Sequence, residues 1–198
     1  MPAVEPLPLD QVGEVSDELA ALAEANGYTA NSFLIMARRP EVARQVLGLV
    51  RLIMRNPDST LDKPLIWMIA NICSRVYGCE YCAGHTMKNG TRHGLAQEKA
   101  DALWEFRTSS LFSPAERAAL EVAAAGGQCP ADVSEADMDE LRKYYSDTQI
   151  VEIALVISIF GFHNRWNHIM GTPLEDPVLD FREQNPQAFA SDGGPVGR

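Results

Sequence analysis

The residues with the most capacity for chemistry stand together in the run Cys79-Glu80-Tyr81-Cys82-Ala83-Gly84-His85-Thr86. Two cysteines three apart and a histidine three further on share one side of a helix, because i+3 and i+4 positions are neighbours there. Gly78 precedes the pair, so Cys79 falls in the first turn. There, free N–H groups and the positive end of the helix dipole favour a thiolate. The run therefore supplies a nucleophilic thiol, a second thiol able to close a disulfide with it, and an imidazole to carry a proton. On these residues alone three uses stay open. They are a redox pair, a zinc site needing a fourth ligand from His93, His163 or His168, and a pair of buried structural cysteines. A thioredoxin-type site expects a strand–helix–strand context, which the surrounding sequence lacks. Cys73 falls on an apolar stripe and reads as a core residue, and Cys129 stands unpaired before Pro130 in a turn.

The elements that must position this run are helices nearly throughout. Val15–Asn26 is rich in Ala, Leu and Glu, and a short apolar stretch follows at Phe33–Ala37. Pro40 opens a helix with Val42, Val46, Leu49, Val50 and Ile53 at helical spacing. Leu61, Leu65, Ile69, Ile72 and Val76 lay down a second stripe that Gly78 ends, and Cys79–His93 follows, closed by Gly94. Lys99–Phe106 continues as a shorter helix. Ser113-Pro114-Ala115-Glu116 is a capping box with proline at the first helical position, and Ser134 with Asp137 marks another start. From Ser146 a long buried helix runs to about Met170, with Gly161 as its weak point. No run alternates with period 2 for long, and no hairpin signal appears. The pattern predicts one all-α domain over residues 1–175 and a Pro/Gly/Asp-rich tail over 176–198, its last eight residues disordered.

Composition narrows the function. Among 198 residues, 27 Asp and Glu against 17 Lys and Arg leave a formal net charge of −10. A nucleic-acid partner needs a basic face, and no basic cluster longer than a dipeptide occurs, so neither nucleic acid nor an anionic membrane surface is expected. The longest apolar stretch, near Ile153–Phe162, is well short of the ~20 residues of a spanning helix. Met1–Asp10 does not resemble a signal peptide. A soluble, cytoplasmic protein is expected. No nucleotide fingerprint is present, so no organic cofactor is implied.

With its flanks the cysteine run resembles the carboxymuconolactone decarboxylase/alkylhydroperoxidase-D family, in its peroxidase-related branch. Gly78 to Thr86 with Gly94-Leu95 carries the core of the resemblance. Upstream are Ser32-Phe33-Leu34, Arg39-Pro40-Glu41-Val42 and the Leu61–Val76 helix. Downstream are Phe112-Ser113-Pro114-Ala115-Glu116-Arg117, then Asn164-Arg165-Trp166-Asn167 and Gly171-Thr172-Pro173-Leu174-Glu175. The resemblance implies an all-α, alkylhydroperoxidase-D-like fold, a homo-oligomer, and thiol-dependent reduction of hydroperoxides. It makes Cys82 the attacking thiolate and Cys79 the resolving thiol, with an external dithiol as reductant and no metal or other cofactor. A sulfenate beside a resolving thiol escapes irreversible oxidation, which fits that order.

Two positions depart from the family pattern. The glutamate common 12 residues before the first cysteine is Trp67 here, with no acid near it in the sequence. The relay histidine common four residues after the second cysteine is Thr86, and His85 sits one step earlier, about 100° round the helix. Glu80, Tyr81 and His163 are the remaining candidates for a relay, and Trp67 predicts a dry pocket suited to an apolar or aromatic substrate. Asn164, Arg165 and Asn167 form a polar cluster, with Arg165 expected to pair with an acid or bind an anionic group. The alternative function is a non-redox decarboxylase, isomerase or lyase acting on a small organic compound, with His85 as general acid or base.

Overall fold

The computed structural model describes residues 2–190, and the last eight residues of the expected tail lie outside them. Its helices are α1 (Ser16–Asn26), α2 (Asn31–Met36), α3 (Pro40–Met54), α4 (Lys63–Tyr77), α5 (Glu80–Arg92), α6 (Gln97–Asp101), α7 (Pro114–Gly126), α8 (Glu135–Arg142), α9 (Asp147–Met170), α10 (Asp176–Gln184) and α11 (Pro186–Phe189). No strand occurs among the described residues, so the all-α reading holds.

Helix α4 is the axis of the molecule, because Leu65 to Ser74 is buried without a break. A helix apolar on nearly every side must be covered on every side, and α5, α7 and α9 pack around it. Two polar side chains in this buried stretch donate locally, although Asn71 Oδ1 has no partner among the described residues. Asn71 Nδ2 donates to Ala83 O and Thr86 Oγ1 on α5, both at 3.0 Å, and Ser74 Oγ donates to Ala70 O at 2.7 Å. A second apolar cluster joins α1, α2 and α3 through Val15, Leu19, Phe33, Met36, Ala43 and Leu47.

The caps follow the sequence closely. Ser113, Ser134 and Ser146 each form a capping box, starting α7, α8 and α9. Gly161 does not interrupt α9. Gly78 adopts φ +83°, the left-handed C-cap of α4, which a side chain would disfavour by about 1–2 kcal/mol. The turn it makes delivers Cys79 straight to the start of α5. The stretch predicted as a helix over 99–106 divides into α6 and a 3₁₀ turn at Leu103–Glu105.

Residues 176–189, expected as tail, form α10 and α11 and pack on the body. Val178 and Ala188 are fully buried. Composition suggested a loop here because two prolines and several acids dominate, yet both prolines occupy first-turn positions where they favour a helix. Gly84 makes the docking feasible, since a Cβ there would stand 3.0 Å from Val178 Cγ1 and 3.4 Å from Leu174 Cδ2.

Candidate active site

Cys79 is the N-cap of α5, one residue ahead of the first turn, and its sulfur accepts the N–H of Cys82 at 3.4 Å. The Cys82 thiol also points at Cys79. Together with the N–H groups of Cys82 and Tyr81 it holds the Cys79 thiol below its ordinary range, against the opposing effect of burial. Burial, then the engagement of its proton by Cys79, pushes Cys82 well above the ordinary thiol range. The pair is thus polarised: of the two sulfurs, Cys79 is the one where a thiolate is favoured, and Cys82 is the one that holds its proton more tightly. Asn167 on α9 works the other way, donating Nδ2 to Cys82 Sγ at 3.3 Å and favouring a Cys82 thiolate when one forms.

Cys82 lines a cavity of about 100 Å³ and Cys79 does not. The walls are mostly apolar, with Phe33, Leu47, Met54, Trp67 and Phe160 contributing. Trp67 is buried, packs against His93 with ring centroids 5.4 Å apart and planes tilted by 48°, and its Nε1 has no hydrogen-bond partner among the described residues. For scale, a dry engineered cavity of ~150 Å³ accepts benzene, so this smaller space holds at most about one ring.

His85 stands on the same wall, with both ring nitrogens engaged. Nε2 is 2.7 Å from Glu175 Oε2 and Nδ1 is 3.1 Å from the Tyr28 hydroxyl. The other carboxylate oxygen of Glu175 accepts the Asn31 N–H at 2.5 Å and the Tyr81 O–H at 2.8 Å, and Tyr81 in turn accepts the Ser32 N–H at 3.1 Å. Burial alone would raise the Glu175 carboxyl. The bonds from His85, Asn31 and Tyr81 outweigh it and hold the group below the ordinary carboxylate range. An ionised glutamate thus fixes the imidazole, the arrangement that orients a general acid or base.

The other predicted residues fall into different environments. Thr86 donates to Cys82 O at 2.7 Å and braces α5 against Asn71. Glu80 points into solvent and faces Arg182 at 3.3 Å, away from the cavity. His163 lines the cavity among Phe33, Phe160 and Phe162, and burial holds it down to about 4. Burial pushes the core thiol Cys73 up to about 12, and Cys129 is exposed. Arg165 has no acid partner among the described residues and lies 3.7 Å from Cys129 Sγ.

Sequence reasoning missed Tyr28 and Asn31, and noted Glu175 and Asn167 without assigning either a role in the site. Glu175 stands 90 positions from His85, so no local spacing connects them. The available signal was the acid next to Pro173-Leu174 just beyond the Gly171 cap, a place where a chain turns back on its own helix. Among the described residues no group of three His, Cys, Asp or Glu side chains could hold a metal ion, and no helix is long and apolar enough to cross a membrane.

An all-helical body with a cysteine pair at the head of an internal helix defines the class, and comparison agrees: the chain belongs to the carboxymuconolactone decarboxylase family, which it matches over residues 40–125. Among solved structures, the debrominase Bmp8 superposes with a TM-score of 0.85 at 33% identity, covering 94% of this chain and 97% of that one. A Bmp8 cysteine-to-alanine variant in complex with 2,3,4-tribromopyrrole matches with the same TM-score at 32% identity, over 92% and 96% of the two chains. A peroxidase-related protein from Ralstonia eutropha JMP134, described as an alkylhydroperoxidase AhpD core, shares the fold with a TM-score of 0.76 at 23% identity, over 88% and 94%. YnjA of Escherichia coli (strain K12) is 30% identical over 118 residues, and the match spans 59% of this chain and 64% of YnjA. The family is thus one with enzymes among its members.

Proposed function

We propose that the protein is a thiol-dependent oxidoreductase that reduces a small apolar electrophile, a hydroperoxide or a ring-bound halogen, through a Cys79–Cys82 disulfide. One observation carries this reading: Cys82 lines a small apolar cavity, while Cys79, whose thiol is held below its ordinary range, touches Cys82 without lining that cavity. Cys79 takes the Cys82 proton as the Cys82 sulfur attacks the peroxide oxygen or the halogen. The O–O or carbon–halogen bond breaks, its electron pair stays with the leaving fragment, and the His85–Glu175 pair supplies the proton that fragment needs. Cys79 then attacks the Cys82 sulfur, releasing water or hydrogen halide and closing the disulfide. An external dithiol restores both thiols. Two electrons pass from the pair to the substrate in each turn.

The apolar walls and the likeness to a debrominase favour a ring-bearing substrate over a freely hydrated peroxide. The test is dithiothreitol-dependent consumption of cumene hydroperoxide and of 2,3,4-tribromopyrrole, with mass spectrometry of the peptide holding both cysteines. Cys82→Ser should abolish turnover, and Cys79→Ser should allow one round of Cys82 oxidation and then stall. Turnover surviving in the Cys79/Cys82 double serine variant would overturn the thiol reading. It would favour the non-redox alternative, which the His85–Glu175 pair equally equips for acid–base chemistry.

The same reading makes the chain a homo-oligomer. Val151, Leu155, Phe162 and Ile169 expose an apolar stripe along α9, at spacings that a second helix would cover. Light scattering at the mass of a single chain would oppose it.

A further inference from the structure

The rim of the cavity is basic, in a chain whose net charge is −10. Arg51, in the last turn of α3, and Arg55, its C-cap, stand four residues apart and both line the cavity that Cys82 faces. Arg51 is exposed and Arg55 half-buried, so they belong to its mouth rather than its floor. Arg92, in the last turn of α5, is close enough for its charge to act on Arg55. None of the three forms an ion pair among the described residues. Arg51 acts on the Glu18 carboxyl only weakly, and Arg44 already binds that carboxylate at 2.7 Å. Arg55 instead donates Nη2 to a neutral acceptor, Asn26 Oδ1, at 2.8 Å.

This arrangement costs free energy in the empty protein. Burial and the neighbouring Arg92 and Arg51 charges all disfavour the Arg55 guanidinium, which stands below its ordinary range. The chain has 27 acids, and none among the described residues pairs with Arg51, Arg55 or Arg92. An anion entering the mouth would relieve the repulsion, and a guanidinium fork binds a carboxylate through two parallel N–H bonds. The apolar cavity beyond accepts the rest of such a molecule. The rim therefore reads the polar end of a ligand whose apolar end meets Cys82.

We infer that Arg51 and Arg55 form an anion-recognition site at the mouth of the thiol cavity, selecting one-ring substrates that carry a carboxylate or an equivalent ionised group. The inference rests on the thiol reading for the identity of the ligand as substrate, but binding can be measured without turnover. Benzoate and its neutral isostere benzamide are titrated into the full chain, with calorimetry and the fluorescence of the cavity-lining Trp67 as readouts. Benzoate should bind at least about tenfold more tightly than benzamide, and added salt should erode that difference. Arg51→Met, at an exposed position, and Arg55→Met should each weaken benzoate by about tenfold and leave benzamide unchanged, with Arg55→Lys intermediate. Equal binding of the two probes, no binding of benzoate, or indifference of benzoate to both methionine variants overturns the inference.

The anion could also belong to the reductant, and kinetics separate the two sources. With uncharged dithiothreitol as reductant, benzoate should inhibit competitively against the electrophile. If the methionine variants instead impair only turnover driven by thioglycolate, the site serves the reductant and the inference for the substrate fails. Failure of the thiol reading itself would appear elsewhere, as the absence of any dithiol-dependent turnover in the wild-type protein.

Discussion

Glu175→Gln isolates what the carboxylate does for His85. The native carboxylate accepts three bonds, from the Asn31 N–H, the Tyr81 O–H and the His85 ring. Truncation to alanine would strand three largely buried donors at about 1–3 kcal/mol each, a large part of the ~5–15 kcal/mol that holds a domain together. Glutamine keeps an oxygen for Asn31 and Tyr81 but turns an amide N–H toward His85 Nε2. In the neutral ring the proton must then move to Nδ1, and Tyr28 must accept where it donated. Three charge-assisted bonds become neutral ones or rearrange, a loss of about 1 kcal/mol apiece and about 3 kcal/mol in all. With the imidazole in the other tautomer, delivery of a proton to the leaving fragment should slow by about 10²–10⁴-fold. Urea unfolding gives the first quantity, dithiothreitol-driven turnover the second, and ¹⁵N chemical shifts of the histidine ring report the tautomer. A stable variant with altered tautomer and turnover within twofold of wild type would refute the reasoning. Glu175 would then be a latch for the segment after α9 and no part of the chemistry.

Gly127→Ala should destabilise by about 1–3 kcal/mol, because a Cβ there would meet Cys73 O at 2.8 Å and Cys73 Cα at 2.9 Å, backbone that cannot yield. Gly48→Ala, on an exposed turn of α3 with nothing within 4 Å, should stabilise by about 0.5–1 kcal/mol, and opposite shifts of the urea midpoint check the pair. His163 is held down to about 4 by burial, so the unfolded chain binds its proton first. Stability from this residue is complete above about pH 6.5 and is lost as pH falls toward 4, about 3 kcal/mol in total. Half-buried His93, also lowered by burial, adds in the same direction. Urea midpoints at pH 7 and pH 5 should differ less in His163→Leu than in wild type. Timed labelling with a chromogenic disulfide should modify exposed Cys129 first and leave Cys73, buried and pushed up to about 12, unlabelled until the protein unfolds.

The features legible in the amino-acid sequence are those decided by neighbours three or four residues apart. The capping boxes at Ser113, Ser134 and Ser146, the left-handed turn at Gly78 and the cysteine pair at the head of α5 are all of this kind. So is the apolar stripe of α4 at Leu65, Ile69 and Ile72, but the burial of every residue from Leu65 to Ser74 is not, because it depends on α5, α7 and α9 closing round that helix. Which cysteine meets the cavity, which acid serves His85, which amide serves Cys82 and where the arginines converge belong to the tertiary structure. The side-chain contacts among them join α5 to residues 28, 32, 167 and 175, between 49 and 94 positions away. Their formation depends on how closely whole helices approach. The bare surface of α5 at Gly84 is what admits Leu174 and Val178. That packing draws Glu175 over His85, and so gives the imidazole a carboxylate partner that no residue near it in the sequence provides.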